Sequence, residues 1–147
     1  MKNVLLFFSA ILFGCTTQHT PFVEIELLTS ATAANFRALS VVNEQVAWVS
    51  GTEGTVLVTL DGGENWQDVS NGVPDSIDFR DIEAFSSREA LILSAGSPGL
   101  VLRTSDGGES WSVVYRDDRD EVFFDAMGFW NAEGGIAFGD AIDGKIE

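Results

Sequence analysis

The 147-residue sequence predicts an all-β fold of repeated four-stranded blades, a β-propeller, and three observations carry that reading. The segment "TLDGGENW", Thr59 to Trp66, returns 45 residues later as "TSDGGESW", Thr104 to Trp111, with six of eight positions identical. Phenylalanines open comparable segments at Phe36, Phe79 and Phe124, in steps of 43 and 45 residues. After the N-terminal apolar run no window holds a helical stripe, whereas Gly, Asn, Ser and Asp punctuate short apolar runs every eight to twelve residues.

Taken in order, the chain begins with a segment unlike the rest. Lys2 supplies a positive charge, "VLLFFSAILF" is an apolar run of ten residues, and Gly14 and Cys15 follow. Ten residues are too few to cross a bilayer as a helix, so residues 1–14 read as a signal peptide. Cys15 is the only cysteine. Its setting, "LFGC", resembles the bacterial lipoprotein box, with Phe13 where a small residue is usual. That resemblance implies cleavage before Cys15, a lipid on its sulfur and a tether over residues 15–21. The product would be an exported lipoprotein held at the membrane on the periplasmic or surface side of the bacterial cell envelope. His19, in the polar stretch "TTQHTP", has no ligand partner nearby, so no metal site is expected, and nothing in the sequence calls for a cofactor.

Residues 22–147 read as a partial propeller. Val23, Ile25 and Leu27 alternate with Glu24, Glu26 and Leu28, as in a partly buried strand. Three units follow, at about 36–78, 79–123 and 124–147, the last incomplete. Within them Leu39, Ile82 and Met127 form one equivalent apolar set, and Val42, Phe85 and Trp130 another. Each unit continues through "VAWVSG", "ALILSAG" or "GIAFGD", and two go on through "TVLVT" or "LVLRT" to the DGG turn. The pattern is strand, turn, strand, turn, strand, tight turn, strand.

The repeated turn has a chemical rationale. Its Asp can accept hydrogen bonds from turn N–H groups, its glycines can take positive φ, and the Thr hydroxyl adds a local bond. The Trp covers the hairpin with a large apolar face while its N–H finds an acceptor. The turn resembles the Asp-box, S/T-x-D-x-G-x-x-W, of sialidases and many other propellers. Both copies match at each defining position: Thr59, Asp61, Gly63 and Trp66, then Thr104, Asp106, Gly108 and Trp111. In that family the box closes the hairpin between a blade's two outer strands, away from the catalytic face, which implies a structural role for these eight residues.

The segment ahead of the first box narrows the resemblance. "NFRALSVVNEQVAWVSGTEGTVLVTLDGGENW" is similar to a blade of the photosystem II stability and assembly factor family and its relatives in non-photosynthetic bacteria. The likeness runs from about Val23 to the end. It implies a seven-bladed propeller acting as a non-catalytic binding or assembly protein, its partner a protein or peptide at the channel face. At about 45 residues per blade, residues 22–147 hold under three blades, fewer than the four or so that a closed propeller needs, so the sequence reads as an N-terminal piece of a longer protein.

Arg37 in "NFRAL" and Arg80 in "DFRDI" begin the first strand of their units, near the channel, and are the ligand-binding candidates. Either they hold a carboxylate ligand or they pair with neighbouring carboxylates such as Asp78 and Asp81. In the third unit Asp125 stands at the matching place and interrupts the arginine row. The alternative from another class is a sialidase-type glycoside hydrolase, which needs an arginine triad, a Tyr nucleophile with a Glu partner and an Asp acid/base. No catalytic residue is assigned here: the "FRIP" proline is missing from both FR segments, and the lone Tyr115 follows a box. A net charge of −15, with the closest basic pair, Arg116 and Arg119, set in the acidic run "RDDRDE", argues against a nucleic-acid partner.

Membrane attachment is predicted to depend on Cys15. Metabolic labelling with a palmitate analogue should mark the wild type and spare Cys15→Ala, and equal labelling of both would sink the assignment.

Overall fold

The computed structural model describes Glu26 and residues 32–142. The signal peptide, Cys15, His19 and, apart from Glu26, the strand expected at Val23–Leu28 lie outside the described residues, as do residues 143–147. Glu26 itself is exposed and outside any strand.

Ten strands form three antiparallel sheets, with no helix among the described residues. The first sheet runs in order β1 (Phe36–Val41), β2 (Ala47–Gly51), β3 (Val56–Thr59), β4 (Gln67–Asp68). The second repeats it as β5 (Phe79–Ala84), β6 (Ala90–Ser94), β7 (Gly99–Thr104), β8 (Ser112–Asp117). The third consists of β9 (Phe124–Asn131) and β10 (Gly134–Gly139). Consecutive strands pair with consecutive strands throughout, the meander of a propeller blade.

Phe36, Phe79 and Phe124 each open a first strand, so the three sheets share one register. That register fixes which face each side chain joins. Leu39, Val49 and Leu57 lie on one rung of the first sheet, and Ser40, Trp48 and Val58 on the next, pointing the opposite way. The second set faces the second sheet. There Trp48, Val56 and Val58 pack with Phe79, Ile82, Ala84, Ala90, Ile92, Leu100 and Leu102 in one core. Leu93, Val122 and Phe124 form the core between the second sheet and the third. Strand β6 is covered on both faces, all five of its residues being buried, which is why "ALILS" reads as a continuous apolar run and not as an alternation.

Hydrogen bonds stitch the sheets edge to edge. The Trp48 indole N–H donates to the Ser86 carbonyl at 3.0 Å, and the Ala84 N–H donates to Ser40 Oγ at 3.0 Å. Within each sheet, in turn, the carbonyl just before the first strand accepts from the residue after the second: Asn35 from Thr52 at 3.1 Å, Asp78 from Ala95 at 2.8 Å, Phe123 from Asp140 at 2.9 Å.

Since Trp48 is wholly buried in a core that belongs to two sheets, Trp48→Ala is expected to destabilise the fold by about 3–5 kcal/mol. Urea denaturation followed by fluorescence of the remaining tryptophans should show one transition at lower urea. Two separate transitions would contradict a shared core.

Candidate functional site

Arg37, Arg80 and Asp125 occupy one special position. In each first strand the ladder skips a residue just after the opening phenylalanine: the pairing passes from Phe36 to Ala38, from Phe79 to Asp81 and from Phe124 to Ala126. The skipped residues are Arg37, Arg80 and Asp125, so each is the extra residue of a β-bulge, which re-aims its side chain out of the alternation. First strands of neighbouring sheets touch, β1 with β5 and β5 with β9, so the three bulges follow one another along the inner edge.

The arginines pair forward along that edge. Arg37 Nη2 lies 3.1 Å from Asp78 Oδ2, and Arg80 Nη2 lies 3.2 Å from Asp125 Oδ1. Asp78 is steadied by the Glu53 N–H, which donates to its Oδ1 at 3.1 Å from a residue with φ of 57°. Arg80 also stands over the Phe123 ring, 5.5 Å from its centroid. Each guanidinium uses one terminal nitrogen on a carboxylate and remains partly exposed. The sequence raised Asp78 and Asp81 as neutralising neighbours of Arg80. Asp78 instead serves Arg37, and Asp81 accepts the backbone N–H groups of Ile82 at 2.8 Å and Met127 at 2.6 Å. Asp125 interrupts the arginine row in sequence and supplies the counter-charge in space. Further along β5, burial and then the nearby Asp81 charge push the Glu83 carboxyl above its ordinary value.

The two Asp-boxes stand at the other edge of the sheets, in the β3–β4 and β7–β8 hairpins. Thr59 Oγ1 donates to Asp61 Oδ1 at 2.8 Å and accepts from the Gly63 N–H at 2.9 Å. Asp61 also takes the Asn65 N–H at 2.9 Å and the Asn65 side-chain amide at 2.8 Å. The second box repeats this: Thr104 to Asp106 at 2.8 Å, Gly108 N–H to Thr104 at 2.9 Å, and the Ser110 N–H and hydroxyl to Asp106 at 3.0 and 2.6 Å. Asn65 and Ser110 are clasp members that the sequence reading passed over. The available signal was a short polar side chain just before each tryptophan.

Trp111 does more than cover its own hairpin. Its indole N–H donates to the Val69 carbonyl of the first blade at 2.8 Å, and its ring meets Trp48 edge to face at 6.4 Å. Gly108 has φ of +85° and sits so close to Val69 that a Cβ would come within 2.5 Å of the valine Cβ. Asn71 Nδ2 donates to the Glu109 carbonyl at 3.3 Å. The second box is therefore a joint between blades as well as a turn.

Among the described residues no group of three or more His, Cys, Asp or Glu side chains could hold a metal, and no helix is long and apolar enough to cross a membrane.

The family model "Photosynthesis system II assembly factor YCF48" matches residues 16–121. No curated protein matches the sequence. Among solved structures, a YCF48 bound to a D1 peptide superimposes with a TM-score of 0.62 at 23% identity, over 74% of this chain and 35% of that one. YCF48 from Cyanidioschyzon merolae gives 0.51 at 24%, over 68% and 32%. An ancestral GH74 enzyme gives 0.55 at 17%, over 70% and 16%. The chain thus spans about a third of the length of either YCF48 structure, and these likenesses establish the propeller fold.

The clasp bonds set a pH dependence. Bonds from Ser110 and Thr104 hold the Asp106 carboxyl at about 2, below its ordinary 3.8, and those from Asn65 and Thr59 lower Asp61 in the same way. A carboxyl depressed in the folded state contributes stability above its unfolded value and loses it as the pH falls through the folded one. Stability should therefore decline between pH 3.8 and about 2, and this acid-side slope should flatten in Asp106→Asn. Carbon-detected NMR titration of Asp106 checks the cause, and an ordinary carboxyl midpoint would refute it.

Proposed function

Since the chain belongs to the photosynthesis system II assembly factor YCF48 family, we propose that it is a non-catalytic binding propeller whose contact surface is the inner-edge row of bulges. The observation that carries this is the placement of Arg37 and Arg80 at equivalent bulges of adjacent blades in a chain of net charge −15. Each arginine keeps guanidinium donors beyond the one engaged with Asp78 or Asp125, and the pairs are exposed, so a carboxylate on an incoming protein or peptide can join or displace them. The structure of YCF48 with a D1 peptide supports a peptide or protein as the class of partner. The glycosidase alternative draws on the Asp-box that sialidases share and on the fold of the GH74 enzyme. Tyr115 stands on β8 and the two arginines on β1 and β5, at opposite edges of the sheets, which favours the binding reading. The setting we assign is the bacterial cell envelope, with attachment through a lipid on Cys15, on the strength of the apolar run that precedes it.

Replacing both arginines separates binding from stability. Arg37→Gln with Arg80→Gln, in the full-length lipoprotein, should weaken capture of envelope partners tenfold or more, as loss of charge-assisted hydrogen bonds worth about 1.5–3 kcal/mol each requires. The melting temperature should barely move, because exposed ion pairs contribute about 0–1 kcal/mol. Intact capture with a clear loss of stability would make the arginines structural. Hydrolysis of a sialoside by the same protein would move it to the enzyme class.

A further inference from the structure

Three times among the described residues an Asn or Asp stands directly before a glycine: Asp61 before Gly62 and Asp106 before Gly107 in the two boxes, and Asn71 before Gly72 in the connection from β4 to β5. Such a pair is chemically vulnerable, because glycine has no side chain to shield its backbone nitrogen from the carboxyl or amide carbon of the residue before it. Whether that nitrogen reaches that carbon depends on what each group is already bonded to, and there the three sites differ.

In the boxes both groups are committed. The Gly62 N–H donates to the Gln45 carbonyl and the Gly107 N–H to the Arg88 carbonyl, each at 2.9 Å. Both oxygens of Asp61 and of Asp106 accept hydrogen bonds inside their turns. At Asn71 and Gly72 neither group is held in this way. The Val73 N–H donates to the Ser70 carbonyl at 2.9 Å and Gly72 has φ of 81°, so Asn71 and Gly72 form the exposed corner of a type II turn. Among the described residues nothing accepts the Gly72 N–H, and nothing lies within 4 Å of where a Cβ would stand on Gly72. The Asn71 side chain has a single long bond there, from Nδ2 to the Glu109 carbonyl at 3.3 Å.

We propose that Asn71 is a deamidation site and that its conversion loosens the joint between the first two blades. When the amide swings off Glu109, the Gly72 nitrogen, its proton taken by solvent base, attacks Asn71 Cγ. The N–Cγ bond forms, the Cγ–Nδ2 bond breaks, and ammonia leaves carrying the equivalent of the proton that Gly72 lost. Water then opens the succinimide ring at either carbonyl, giving aspartate, or isoaspartate with the main chain rerouted through the side-chain carbon. Either product sets a carboxylate where an amide donor met the Glu109 carbonyl, in a cleft already lined by Asp68, Asp106 and Glu109. A hydrogen bond across the blades is lost and like charges face one another. Isoaspartate also lengthens the main chain just beyond Val69, whose carbonyl takes the Trp111 indole N–H. The inference is independent of what the row of bulges binds.

Ageing of the full chain at mildly alkaline pH, followed by peptide mapping and enzymatic methyl labelling of isoaspartate, should place the label at Asn71 and leave Asp61 and Asp106 unlabelled. Asn71→Gln should lose that label. In urea, where Gly62 and Gly107 are released from their acceptors, label should appear in both boxes. The aged chain and Asn71→Asp should unfold at lower urea than the fresh wild type, with Asn71→Ser, which loses the donor without gaining a charge, between them. An Asn71 that stays intact in the folded chain overturns the modification site, and so does box labelling that is no faster in urea than in the folded chain. A wild-type urea midpoint in both the aged chain and Asn71→Asp overturns the effect on the joint.

Discussion

Among the described residues each sheet has two apolar faces and no helix to cover either, and the rest of the structure depends on how neighbouring sheets cover each other. The decisive contact is the crossing of Trp48 and Trp111. They approach from opposite blades and meet edge to face, the orientation that sets the positive ring edge against the negative ring face. Each indole N–H is then taken by a backbone carbonyl of the other blade, Ser86 for Trp48 and Val69 for Trp111. A buried tryptophan is tolerated only where its N–H finds an acceptor, so these two bonds lock the sheets in translation while the rings fill the space between them.

That lock separates two edges with different physical characters. At the box edge, both oxygens of Asp61 and Asp106 accept hydrogen bonds inside their own turns, which keeps those carboxylates occupied. At the bulge edge, Arg37 and Arg80 hold their partners through a single nitrogen in partly exposed positions, where water and salt compete with the pair. Charge at the first edge is committed to the fold, and charge at the second is exchangeable.

The sequence made the repeat, the all-β class and the identity of the box residues legible, because each rests on local chemistry: period-two apolar runs, Gly-rich turns and a Thr-Asp pair two residues apart. It also placed Arg37, Arg80 and Asp125 at one repeat position. What it could not show depends on contacts between units. That Trp111 reaches Val69 rather than an acceptor in its own hairpin follows from how two blades nest, and Gly108 is needed for that approach as much as for its φ. The bulge is equally silent in sequence, since "NFRAL" and "DFRDI" read as unbroken strands until the partner strand shows which residue is skipped. Leu39 and Ile82 look equivalent in sequence and are so in register, yet one is exposed and the other buried, because only Ile82 has a described blade in front of it.

The bulge also bears on how such a surface diversifies. A residue in the regular ladder is bound to its face, so at a core-facing ladder position any charged side chain would be buried. The bulged residue is released from that parity. The chain illustrates the freedom by carrying Arg, Arg and Asp at three equivalent bulges while the flanking phenylalanines and the strand pairing stay the same. The charge at each bulge can therefore be rewritten blade by blade, one substitution at a time, without renegotiating the packing behind it.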